Sequence, residues 1–476
     1  MPGKRTPDSA PCQPATLTPA AGSPRVGVVS LGCAKNLVDS EVMLGLLARA
    51  GYTLTNQPQQ ADVLIVNTCG FIGPAKEESI RTILEMAQYK KRGRLRALLI
   101  GGCLAQRYAE ELRQELPEVD GIFGVNEVPR VTELVQAALA GDRPLSVTRR
   151  PTFLYTEELP RILATTGPSA YIKIAEGCDH GCSFCIILRL RGRLRSRPLE
   201  SVVREARQLA ASGVKELLVV AQDTTAYGQD LYGEPRLAEL LRQLSQIDGL
   251  VWIRLFYTYP THLTDEVLDV IADSPHLCHY IDLPLQHSED RVLARMHRQG
   301  SRAQIEALIE RIRRRIPDVT LRSSFIVGFP GETEAEFQGL LGFLRANAFD
   351  NVGIFEYSPE EGTAAARYPD AIPAAERRRR RVEAMSVQQA ISLRRHQERV
   401  GQDTLVLVER AHRRRSASGR LFAGRTEGQA PGIDGNVWLQ AEGLKAGEFV
   451  RAHLTAARPY DWEAVVLPSP ANQPAV

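Results

Sequence analysis

The sequence predicts a multidomain α/β protein: a doubly wound amino-terminal α/β domain, a partial (β/α)6 barrel, and a small antiparallel β-barrel at the carboxyl end. Three observations predict it. Short apolar runs alternate with amphipathic helical stretches from Arg25 to about Gly141. The alternation restarts at Pro168 and supplies six β/α units over about 230 residues, too few for a closed eight-unit barrel. From Gln402 the helical period gives way to short strands and turns. A chain of 476 residues with 43% hydrophobic content is long enough for about three such cores.

Residues 1–24 are rich in Pro, Ala, Ser and Thr and lack the apolar core of a signal peptide, so they read as a disordered, retained tail. The first domain, 25–144, takes strands from Val26–Leu31, Asp62–Asn67, Ala97–Ile100 and Gly121–Gly124, each followed by a helical stretch with acidic residues early and basic ones late. A connector, 145–167, carries Phe153-Leu154-Tyr155. In the second domain, 168–399, strands are expected at Tyr171–Ala175, Glu216–Ala221, Trp252–Tyr257, Tyr280–Leu285, Thr320–Val327 and Asn351–Tyr357. Five consecutive arginines, Arg377–Arg381, lie on a helix running to about Arg399 and read first as a solvated face, with phosphate or ribosome contact second. Residues 400–467 hold five short strands, and 468–476 reads as a disordered tail.

The bulk numbers exclude some classes. With 59 Lys+Arg against 56 Asp+Glu the formal charge is +3, and the last domain balances nine basic against eight acidic residues, which gives little electrostatic drive toward RNA. No run approaches the ~18 apolar residues that span a bilayer, so the expectation is a cytoplasmic enzyme without a membrane partner. Eight cysteines in a long cytoplasmic chain point to metal ligands or reactive thiols before disulfides.

Six of those cysteines form two sets. Cys178, Cys182 and Cys185 are spaced CxxxCxxC directly after a strand-like run, with Gly181 expected to let the loop fold tightly. Three thiolates in eight residues suit one iron–sulfur cluster better than a disulfide or a tetrahedral zinc site, which would need a fourth ligand such as His180. Three ligands leave one iron open to a small chelating molecule. Cys33, Cys69 and Cys103 lie 36 and 34 residues apart, yet each stands where a buried strand ends and a loop begins. In a parallel sheet these ends open on one edge, so the three thiols can converge, and Gly32, Gly70, Gly101 and Gly102 permit close backbone approach. Polar groups stand at other strand ends: Gln222-Asp223-Thr224-Thr225, Asp282, Gln286-His287, Gly328 to Thr333, and Glu356, Ser358 and Glu360. His287 alone reads as a structural loop residue.

The cysteine spacing of the second set resembles the signature of radical S-adenosylmethionine (SAM) enzymes, and the whole domain order resembles the methylthiotransferase family. The wording Ser30-Leu31-Gly32-Cys33-Ala34-Lys35-Asn36, with Ala221 to Gly228 and Pro284 to Ser288, is similar to the RimO-type branch, as is Ile433-Asp434-Gly435 in the last domain, of TRAM type. After Cys185-Ile186-Ile187 this chain has Leu188-Arg189 where the family usually has Pro, and Gly432 stands where the branch commonly has Glu.

The resemblance implies that Cys178, Cys182 and Cys185 hold one 4Fe–4S cluster that binds SAM, and that Cys33, Cys69 and Cys103 hold a second one bearing or supplying sulfur. It implies SAM contacts from Phe184, Gln222, Asp223, Gly328 and Pro330. The implied reaction adds a methylthio group to the β-carbon of an aspartate in small-subunit ribosomal protein S-twelve. A 5′-deoxyadenosyl radical takes the hydrogen, and a further SAM supplies the methyl. Both clusters would face one cavity, with the small barrel gripping the substrate at its mouth. An electron donor such as flavodoxin or ferredoxin is expected. The nearest alternative is a transfer-RNA adenosine methylthiotransferase; a non-catalytic iron–sulfur scaffold or sulfur carrier docking on the ribosome stands further off. Cys12 and Cys278 are assigned no function.

Overall fold

The computed structural model describes residues 22–164, 167–416 and 419–468. The two expected disordered tails fall almost wholly outside them, and Cys12 with them. In the first domain six parallel strands, β1 (Arg25–Ser30), β2 (Thr53–Leu54), β3 (Val63–Thr68), β4 (Ala97–Gly101), β5 (Gly121–Phe123) and β6 (Leu145–Ser146), lie in the order β2-β1-β3-β4-β5-β6. Every residue of β3 is buried because helices cover both faces. Val38, Val42, Val131 and Leu134 pack on one side, and Ile83, Leu104 and Leu112 on the other. The chain leaves β1 toward β2 and returns to β3 on β1's other flank, so the topological switch point lies between β1 and β3. β2 and β6, two residues each, carry no apolar run and leave no sequence signal; β6 draws Leu145–Ser146 out of the expected connector into the first sheet.

The remaining connector is a clamp. Arg161 donates to Glu41 at 2.6 Å on one side and to Glu205 at 2.6 Å on the other, and the Tyr155 hydroxyl donates to Glu205 at 2.8 Å. All four side chains lie in the seam between the first two domains.

The second sheet, also parallel, runs in chain order through β7 (Ser169–Lys173), β10 (Glu216–Val220), β11 (Trp252–Leu255), β12 (Leu277–Asp282), β13 (Thr320–Val327) and β14 (Asn351–Glu356). β7 and β14 do not pair, so the barrel stays open as six units require. Between β7 and β10, the short strands β8 (Ala175–Glu176) and β9 (Arg195–Ser196) pair antiparallel and close the base of the cysteine loop. Alternate residues Leu217, Val219, Ile253 and Leu255 face the outer helices. Leu218, Val220 and Phe256 face inward, where they meet Leu407 and Ala430 of the last domain.

That last domain is a closed five-stranded barrel, β15 (Asp403–Ser416), β16 (Gly419–Arg425), β17 (Val437–Ala441), β18 (Phe449–Ala457) and β19 (Trp462–Val466), around Val406, Phe422, Leu439 and Trp462. One correction applies: β17 and β19 pair parallel, because β19 closes the ring between β17 and β18. Its packing face is committed to the concave side of the second sheet. Arg425 donates to Glu216, Arg254 donates to the Glu427 carbonyl and to Glu216, and Tyr280 donates to Asp434.

The arginine run is only in part the solvated face expected: Arg378 and Arg379 are exposed, but Arg380 is buried and three of the five are ion-paired. Arg379 pairs with Glu376, Glu383 and Glu334, buried Arg380 with Glu332 and Glu376, and Arg381 with Glu356. No helix among the described residues is long and apolar enough to cross a membrane.

Candidate active site between the first two domains

Three loops at the carboxyl edge of the first sheet carry Cys33, Cys69 and Cys103. Cys33 precedes the first turn of the helix Ala34–Arg49, and Cys103 is the second residue of the helix Gly102–Glu115. Cys69 follows β3, where its N–H donates to Ser79 Oγ at 3.1 Å and its carbonyl accepts from the same hydroxyl at 3.0 Å. Asn36 ties the switch-point loops together: its Nδ2 donates to the carbonyls of Leu31 (3.0 Å) and Thr68 (2.9 Å). The glycines are required here. Gly32 has φ +83°, and a Cβ on it would lie 2.9 Å from Cys69 Sγ; one on Gly70 would meet the Cys103 carbonyl at 2.8 Å. Burial raises the Cys69 thiol to about 11, and it raises Cys103 as well. Burial would do the same to Cys33, but Lys35 and Arg191 outweigh it and hold that thiol below its ordinary value.

Cys178, Cys182 and Cys185 share the loop between β8 and β9. Here the expectation for Gly181 is corrected: it has ordinary backbone angles and open space around it. Gly177 and Gly192 make the tight turns instead, with φ +81° and +78°, and Cys178 N–H donates to the Gly192 carbonyl at 3.1 Å. Ser183 fastens the loop from below, its N–H donating to Met296 O at 2.9 Å and its Oγ to Arg295 O at 2.7 Å. Ile187 N–H points at Cys185 Sγ (3.5 Å), and Arg298 Nη1 at Cys182 Sγ (3.9 Å). Burial pushes Cys178 and Cys185 up to about 12. Lone thiolates are therefore disfavoured here, and a bound cationic metal is the ordinary remedy. None of the described cysteines is in a disulfide, and each set offers three sulfurs on glycine-permitted turns, a donor set that fits an iron–sulfur cluster.

Leu188 lies in the first turn of the helix Ile187–Arg191, where a proline would also be tolerated, so the departure from Pro leaves the turn intact.

The expected cofactor contacts gather around this second loop. Phe184 packs against the apolar cluster that includes Phe329, the residue between Gly328 and Pro330. The Pro330 carbonyl accepts from Arg295, and Gly328 takes φ +71° with Arg377 stacked where a Cβ would go. Gln222 Nε2 donates to Glu176 at 2.6 Å, which leaves its buried Oε1 without a partner. Asp223 accepts from Thr225 N–H at 2.9 Å and lies 2.7 Å from His180 Nε2. Despite burial, those hydrogen bonds and one from His262 hold its carboxyl far below the usual range. His180 stacks on Tyr259 at 3.8 Å. The other strand-end candidates are taken up structurally. Glu360 pairs with Lys76 (2.8 Å) and Arg107 (2.7 Å), and Ser358 accepts from Gly73, fastening the first domain to the end of β14. His287 is fully buried, and burial holds it neutral with a pKa of about 3.

The helix Ile187–Arg191 joins the two cysteine sets. Ile186 and Leu190 pack against Cys103, and Arg191 donates to Asn36. Behind it lies a buried network that sequence reading missed. Lys173 donates to Asp39 (2.5 Å) and Glu176 (2.6 Å), and Arg191 donates to the same two carboxylates at 3.1 and 2.9 Å. Two cations and two carboxylates balance, so this network carries no net charge of its own.

Fold and domain order define a radical SAM enzyme carrying an added amino-terminal α/β domain. Residues 25–124 match the family described as Uncharacterized protein family UPF0004, 172–344 the Radical SAM superfamily, and 400–467 the TRAM domain. The chain is 51% identical over 457 residues, 94% of its length and 93% of the relative's, to the ribosomal protein uS12 methylthiotransferase RimO of Symbiobacterium thermophilum. It is 50% identical to the protein of that name from Pelotomaculum thermopropionicum, covering 92% of this chain and 98% of the other. A solved structure of the radical S-adenosylmethionine methyltransferase TsrM from Kitasatospora setae, with tryptophan substrate and aza-SAM bound, shares the fold at a TM-score of 0.52 and 15% identity, over 83% of this chain and 79% of that one. The chain belongs to the RimO family of methylthiotransferases.

Proposed function

We propose that this chain adds a methylthio group to the β-carbon of an aspartate in ribosomal protein uS12, using two 4Fe–4S clusters and SAM. The observation that carries the reading is the packing of Ile186 and Leu190 against Cys103, which brings the barrel's cysteine loop and the first domain's cysteines to one seam. In this reading Cys178, Cys182 and Cys185 hold one cluster and Cys33, Cys69 and Cys103 the other. When bound, the clusters supply the electron that cleaves SAM and the sulfur that is transferred.

The chain's own residues orient and enclose. Gln222, with one amide oxygen unpartnered, and Asp223, fixed by His180 and Thr225, stand beside the second cysteine loop as SAM contacts, with Phe184, Gly328 and Pro330 completing the wall. Arg298 donates toward Cys182, and Arg191 supports Cys33 electrostatically from the barrel side. The Lys173, Arg191, Asp39 and Glu176 network excludes water from the seam while adding no net charge. The electron comes from a donor such as flavodoxin or ferredoxin, and a ribosomal substrate assigns the work to the cytoplasm.

The test is anaerobic reconstitution with iron and sulfide, reduction, and addition of SAM with purified uS12 or, separately, unmodified transfer RNA, read by mass spectrometry. A methylthio mass increase on the uS12 aspartate is expected. An increase on adenosine would move the enzyme to the transfer-RNA reaction, and no product with no SAM cleavage would favour a scaffold.

A further inference from the structure

Lys35 is a buried ammonium with no carboxylate to match it. Its side chain is only 8% exposed, and no acidic oxygen among the described residues lies within ion-pair distance of its Nζ. It sits in the first turn of the helix Ala34–Arg49, which has no acidic residue there. A cation at a helix amino terminus meets the positive end of the helix dipole, an arrangement that favours a negative partner. Its neighbours within the chain are the Tyr257 side chain and the Cys33 thiol, which it holds below its ordinary value, and a buried lysine without a carboxylate calls for an anionic ligand.

The direction of the side chain says where that ligand lies. Nζ reaches across the seam to stand 3.4 Å from the ring centroid of Tyr257, at the carboxyl end of β11. The ammonium thus reaches the barrel's mouth while still acting on the Cys33 thiol. Tyr257 is itself held at φ +58°, a left-handed conformation that a bulky side chain adopts only under strain, with its N–H bound to Asp282 at 3.0 Å. The strained backbone fixes the aromatic floor beneath the ammonium. The nearby guanidinium, Arg191, is already bound to Asp39 and Glu176, and Asp282 is matched by Arg322. Of these three cations Lys35 is the one without a carboxylate.

We propose that Lys35 binds the side-chain carboxylate of the substrate aspartate, selecting an acidic side chain and holding its β-carbon between the two cysteine sets. This rests on the uS12 aspartate reading above. A cation–π contact with Tyr257 orients the ammonium, and the substrate carboxylate completes it with a charge-assisted hydrogen bond.

The experiment uses full-length reconstituted enzyme without reductant, so that binding is read without turnover. Fluorescently labelled uS12 and its aspartate-to-asparagine variant are titrated against wild type, Lys35→Met, which keeps the stem length and removes the charge, and Lys35→Arg. Wild type is expected to bind the aspartate form roughly tenfold to a hundredfold more tightly than the asparagine form. Lys35→Met is expected to bind the two forms within about twofold, and Lys35→Arg to keep part of the preference. Iron content and thermal melting of each variant accompany the titrations. Equal binding of both forms by wild type, or a preference that survives in Lys35→Met, overturns the proposal. The first of these needs no variant, so the proposal can fail even if Lys35→Met does not fold. If wild type neither binds uS12 nor methylthiolates it under reducing conditions, the substrate reading itself has failed.

Discussion

Arg191, six residues beyond the last cysteine of the barrel loop, donates a hydrogen bond to Asn36, three residues beyond Cys33. One side chain therefore registers the two cysteine sets against each other. Arg191→Leu leaves Asp39 and Glu176 sharing Lys173 alone, one cation for two buried carboxylates. The expected cost is about 3–5 kcal/mol of stability, checked by thermal or denaturant unfolding. The variant should also reconstitute with less iron.

Glycines in the two sites should respond in opposite ways. In Gly32→Ala the new Cβ would sit 2.7 Å from the Cys69 Cβ at φ +83°, so the thiol must move. Iron uptake at the first set should fall sharply, with a stability loss of roughly 1–3 kcal/mol. Gly181→Ala, with nothing within 4 Å of the added carbon, should match wild type in iron content and product yield.

The two sets should separate in function. Cys178→Ala is expected to abolish SAM cleavage and Cys33→Ala to abolish methylthio transfer, each lowering bound iron by about half. Iron assay and product analysis on the two variants check this; loss of all iron from either would contradict independent sites.

Glu216 gives the seam between the second and third domains a pH dependence. Burial would raise its carboxyl, but Arg425 and Arg254 outweigh it and bring it to about 2 from an ordinary 4.5. A depressed carboxylate stabilises the fold above its unfolded value and loses that contribution as pH falls from about 4.5 to about 2. The difference amounts to about 3 kcal/mol. Melting temperatures of wild type and Glu216→Gln should differ at neutral pH and converge toward pH 2.

Much of this is legible in the sequence. The three cysteines of the first domain stand at the ends of apolar runs, and strand-end geometry alone makes them neighbours. CxxxCxxC is local, so it survives any error about the surrounding fold. Lys173, Asp39 and Arg191 are not legible, because their partners lie 134 and 152 residues away and charge pairing across such distances has no period. Gly181 misleads for a related reason: a glycine inside a motif invites a turn, whereas the turns fall at Gly177 and Gly192, where the loop meets β8 and β9. The arginine run reads as wholly solvated, where only Arg378 and Arg379 are exposed, because the partners Glu332, Glu334 and Glu356 come from other elements. The role of Lys35 carries no sequence signal, since its significance is the lack of a carboxylate partner.

The concave face of the second sheet is covered by Leu407, Ala430 and Arg425, all supplied by the last domain of the chain. During synthesis Glu216, Arg254 and Tyr280 emerge well before the residues that cover and neutralise them. An interrupted translation product would therefore keep the Arg254–Glu216 pair but expose it, with an apolar trough, to water. The order of domains makes the final barrel the piece whose arrival closes this face.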